Sequence, residues 1–139
     1  MTEFAIDSRL ERDSLLIADG PLSQWRLMDD ARFPWLVLVP RIVDATEFVD
    51  LDGGQQRLLL GEINLAAKLL RDAGRCDKLN IGALGNIVRQ LHVHVVARTE
   101  QDAAWPGPVW GHGAAHRYLP DERAQKLAWL RARLPTVTA

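Results

Sequence analysis

The chain has 139 residues, 47% apolar and 25% charged, the proportions of an ordinary globular domain with a sizeable core. Its 17 lysines and arginines are offset by 18 aspartates and glutamates, so no basic surplus points to nucleic acid. Apolar runs such as WLVLVP fall far short of the roughly 20 residues of a membrane span. The polar, acidic start MTEFAIDSRLERDS lacks a signal-peptide core, and the single Cys76 has no internal disulfide partner. A cytoplasmic protein with no membrane or nucleic-acid partner is expected.

No internal repeat or Gly/Ser linker divides the sequence, so residues 1–139 read as a single domain. In chain order, DSRLERDS predicts a short helix, and LLIAD (Leu15 to Asp19) a strand ended by the turn pair Gly20-Pro21. SQWRLMDD, with partial alternation, is a second strand. PWLVLVPR is almost wholly apolar between two prolines, as a central strand buried on both faces would be. Asp52, Gly53 and Gly54 open a long helix whose Leu59, Ile63, Ala66 or Ala67, and Leu70 form one apolar stripe; Gly74 is placed to end it. KLNIGA is a fourth strand and LHVHVVAR a fifth, reached through a Gly-containing turn. The stretch from Asp102 to Pro120 has too much Pro and Gly for regular structure, and Asp121 to Leu134 is an amphipathic helix. This order predicts an α+β fold with an antiparallel sheet of about five strands, one long helix and a C-terminal helix.

The fifth strand carries the chemistry. Gln90, His92 and His94 occupy alternate positions, so in a strand they share one face, while Leu91, Val93 and Val95 point to the long helix. An open face for the first set is the expectation. A row of two imidazoles and an amide is no hydrophobic core. It can be a solvated strand surface, a metal site, or an anion site in which histidine donates or attacks. No carboxylate or cysteine nearby completes a tetrahedral metal set, and His112 and His116 lie in the irregular stretch. Spacing alone leaves the three readings open.

QLHVHVV resembles the His-φ-His-φ-His-φ-φ signature of the histidine triad (HIT) superfamily, φ being apolar, at every position but the first. NIGALGN resembles the family's Asn-x-Gly…Gly-Gln approach to the motif, one residue shorter. FPWLVLVPR resembles its central strand, and AWPGP a Trp-Pro segment of one branch. The resemblance covers Leu15 to Trp110. It implies a nucleotide hydrolase or transferase acting at the α-phosphate of a phosphoanhydride, such as a dinucleoside polyphosphate, or of a phosphoramidate. His92 falls on the nucleophile that forms a nucleotidyl–histidine intermediate, and His94 on a donor to the phosphate oxygens. Asn80 and Asn86 fall on amide contacts, and Gly82 and Gly85 on close backbone approaches to the phosphates. Asp29, or else Asp30, falls on the residue that holds the ribose. The resemblance also implies a homodimer, with no metal and no cofactor.

Two departures stand out. Gln90 replaces the first histidine, and Trp35 a family histidine on the central strand; neither carries a titrating proton. They favour an alternative, a non-catalytic nucleotide-binding module. Two features of the sequence add further expectations. Trp105 and Trp110 sit among prolines and glycines, so Trp105 is a candidate for packing on a base or leaving group. Leu58, Leu60 and Leu69 exceed one helix stripe and are candidates for a dimer surface.

Overall fold

Asp7 starts the first regular element by accepting a hydrogen bond from the Arg9 N–H, and helix α1 (Ser8–Asp13) buries its Leu10. The computed structural model describes residues 3–134. After α1 come β1 (Ser14–Asp19), β2 (Ser23–Met28), β3 (Trp35–Pro40), helix α2 (Gly53–Asp72), β4 (Lys78–Gly82), β5 (Val93–Arg98) and helix α3 (Pro120–Arg133). The five strands form one antiparallel sheet in the order β1-β2-β3-β5-β4. The fold is the α+β architecture that the sequence predicts.

Helix α2 begins where Asp52 accepts from the Gln55 N–H and the Gln55 side chain accepts from the Asp52 N–H, a reciprocal cap. Its buried residues Leu59, Ala66, Leu69 and Leu70 pack with Val93, Val95 and Ala97 of β5, the side that the valine alternation assigns to them. A fully buried leucine such as Leu59 contributes about 1.5–3 kcal/mol over an exposed one. Leu58 and Leu60 are exposed, but Leu69 belongs to this core and not to a surface patch.

The other sheet face is not open, contrary to expectation. Trp35, Val37, Val39 and Val96 form a second buried cluster with Phe33, Leu10, Ala104 and Val109, joined by Phe4 and Ile6. The N-terminal segment and the irregular stretch after β5 thus cover it, and β3 is buried along its whole length. Two element ends also differ from expectation. β2 stops at Met28, because the Asp30 N–H turns back to the Met28 carbonyl. β5 begins at Val93, because the Leu91 N–H is taken by the Ala45 carbonyl outside the sheet. Gln90 and His92 therefore precede the strand.

Candidate active site

Strand pairing sets His94 between Val37 of β3 and Gly82 of β4. The Trp35 indole N–H donates to His94 Nδ1 over 2.9 Å. Because Nδ1 accepts, the imidazole proton resides on Nε2. Burial, and secondarily the neighbouring His92, bring the His94 pKa down to about 3, so it is a neutral donor at pH 7.

His92 has the opposite tautomer. Its Nδ1 lies 2.6 Å from the Gln90 main-chain oxygen, which can only accept, so Nδ1 carries the proton and Nε2 the unshared pair. Burial lowers the His92 pKa; the bond to Gln90 and the charge of Asp7 partly oppose that shift. The two rings stand 4.9 Å apart, both more than nine-tenths buried. One presents a lone pair and the other an N–H, the pair of functions that nucleophilic attack on an anionic centre needs.

Both histidines line a cleft of about 430 Å³, with Trp35, Trp110, Met28 and the turn from Leu84 to Val88. The Trp110 ring stands against His94 at 5.5 Å and Trp35 at 6.3 Å. The ring lies over Gly82, where a Cβ would meet it at 3.4 Å, an ordinary contact. Gly85, at φ +72°, makes the left-handed bend of the 84–88 turn, and Asn86 stands exposed on the cleft wall.

The other residues singled out in the sequence lie elsewhere. The Gln90 carboxamide turns from the cleft to the N-terminal segment, donating to the Ala5 carbonyl and accepting from the Asp7 N–H, both at 2.8 Å. Asn80 Oδ1 accepts from buried Arg98, which also binds Asp102 through two nitrogens and the Gly107 carbonyl. Asp29 accepts from Arg117 and the Tyr118 N–H beside an adjoining cavity of about 240 Å³. Asp30 pairs with Arg32 and the His116 N–H. Trp105 faces Arg98 at 5.6 Å and does not line the cleft; Trp110 takes the place expected of it. His112 and His116 are exposed, and among the described residues no three His, Cys, Asp or Glu side chains are grouped to hold a metal ion.

Arg9 and Arg12 of α1 reach the cleft and were not anticipated. Their three-residue spacing in DSRLERDS marks a shared helix face, but nothing local says where that helix docks.

An antiparallel α+β domain presenting a paired His-x-His site in a cleft defines the class, and the comparisons agree. The HIT domain model matches residues 9–101. A histidine triad protein from Bradyrhizobium japonicum is 45% identical, with a TM-score of 0.92, covering 96% of this chain and 99% of that one. One from Sinorhizobium meliloti is 50% identical, with a TM-score of 0.91 and coverages of 94% and 97%. One from Marinobacter aquaeolei is 36% identical, with a TM-score of 0.93 and coverages of 96% and 97%. No curated protein matches the chain. The chain belongs to the HIT family.

Proposed function

We propose that the protein is a nucleotide hydrolase or transferase that attacks the α-phosphate of a nucleotide with His92 Nε2. The observation that carries this reading is the Nδ1–H bond from His92 to the Gln90 carbonyl, which leaves Nε2 unprotonated in a nucleotide-sized cleft. A P–N bond forms to Nε2, and the bond from phosphorus to the bridging atom breaks, with its electron pair going to the leaving group. Water then attacks phosphorus, releases the nucleoside monophosphate and a proton, and returns the pair to Nε2. His94 Nε2–H donates to the phosphoryl oxygens as charge builds on them.

His92→Ala removes turnover of a cleaved nucleotide altogether. His94→Ala lowers kcat by about 10²–10³-fold, as removal of an oxyanion donor does. Turnover that survived His92→Ala would refute the reading. The binding-module alternative is supported by the engagement of both Gln90 and Trp35 in contacts within the protein; it predicts saturable nucleotide binding with no turnover by the unaltered protein.

Exposed Leu58 and Leu60 on α2, and Ile81 on edge strand β4, support pairing of two copies. A sedimentation mass of one chain at micromolar concentration would refute the homodimer. No helix among the described residues is long and apolar enough to cross a membrane, and a cytoplasmic location is part of the proposal.

A further inference from the structure

We infer that the cleft selects its substrate by the leaving group, accepting one that departs as an anion without taking a proton and receiving it on Arg9 and Arg12. The inference rests on the reading of His92 as nucleophile and adds what must leave from the phosphorus.

The titratable groups on the cleft wall are Arg9, Arg12, Asp13, His92 and His94. None of them can supply a proton to a departing group. His92 spends its Nε2 pair on phosphorus, and its remaining proton is held by the Gln90 carbonyl. His94 would have to carry a second proton on Nδ1 to act as an acid, and that atom is occupied by the Trp35 N–H. Arginine does not give up its proton in proteins. Both oxygens of the Asp13 carboxylate are engaged as acceptors by the Arg12 guanidinium, at 2.9 and 3.1 Å. Gln90, at the first position of the triad, points away from the cleft.

An amine cannot leave phosphorus as an anion; its nitrogen must be protonated as the P–N bond breaks. A phosphate or pyrophosphate bridging oxygen can leave with the bonding pair alone, and it then needs countercharge. Arg9 is oriented for that purpose: it binds Asp7 through Nε and Nη2, at 3.1 and 3.0 Å, and the Ile87 carbonyl through Nη1. Those bonds use three of its five N–H donors and leave two. Arg12 sits one helical turn further on, its side chain 66% exposed. Gln90 ties down the backbone at Ala5 and Asp7, and so fixes the start of the helix that carries both arginines. The position that the family gives to a histidine here builds the receiving wall instead.

The test compares three substrates that share one nucleoside 5′-phosphate, in adenosine and guanosine sets, joined to pyrophosphate, to 4-nitrophenolate or to a primary amine. The full chain should cleave the first two and be at least about 10²-fold slower in kcat/KM on the amidate, the usual worth of a general acid. Arg9→Gln and Arg12→Gln should each lower the preference for pyrophosphate over nitrophenolate by about tenfold, the share of one charge-assisted hydrogen bond. Arg12 is exposed enough for its variant to fold. Amidate cleavage within tenfold of the pyrophosphate substrate, or an unchanged preference in both variants, would overturn the leaving-group assignment alone. No cleavage of any substrate would overturn the reading of the site and this assignment with it.

Discussion

Trp35 shows how one side chain sets the chemistry of its neighbour. Its N–H selects a single His94 tautomer, and burial keeps that ring neutral down to a pKa of about 3. Trp35→Phe keeps bulk in the cluster but leaves a buried Nδ1 without a partner, a loss of about 1–3 kcal/mol. Nitrogen-15 spectra of the imidazoles should show one His94 tautomer in the unaltered protein and two in the variant. The titration should move as well. The folded protein holds His94 neutral where the unfolded chain takes up a proton near the usual histidine value of about 6.5. The stabilisation is therefore complete above that value and is lost as the pH falls toward 3. With Nδ1 freed in Trp35→Phe, the folded-state pKa rises and the window narrows. A His94 titration unchanged by the substitution would show that the indole does not set it.

At the scale of elements, the stretch between β5 and α3 forms no regular structure, yet it is fastened at three carboxylates. Asp102 holds Arg98, Asp30 accepts from the His116 N–H and from Arg32, which itself donates to the His112 carbonyl, and Asp29 holds Arg117 and the Tyr118 N–H. The Arg98 guanidinium beside Asp102 keeps that carboxyl down at about 2. Arg98→Ala would strand the nearly buried Asp102 charge, at a cost of about 3–5 kcal/mol in urea unfolding. It would also loosen the wall that carries Trp110, so activity should fall even where the fold survives. A loss below about 1 kcal/mol would mean that the network does not hold the loop. Local signals foretold part of this arrangement. The Val93/Val95 alternation gave the helix-facing side of β5, and Asp52, Gly53 and Gly54 gave the start of α2, because period and helix-start signals act within a few residues. The covered second face was not legible. Gln90 meets Ala5 across 85 residues of chain, and no pattern near either residue encodes that meeting. Trp105 and Trp110 are alike in type and lie in a segment without period, so their sequence does not say which one turns to the cleft.

For the molecule as a whole, the fold gathers His92, His94, Arg9 and Arg12 from two distant stretches of chain into one cleft. The His-x-His pair, on or next to the strand, was plain in the sequence. The N-terminal helix completing the rim was not, since its place depends on the fold closing over β3 and β5. The central claim is that His92 Nε2 becomes bonded to phosphorus, and the direct measurement is mass spectrometry of peptides from protein quenched in base within the first turnover. The account predicts a nucleoside monophosphate adduct on His92 that is acid-labile, accumulates before product and is absent from His92→Ala. Product formed at full rate with no adduct on His92, or an adduct on another residue, would contradict it.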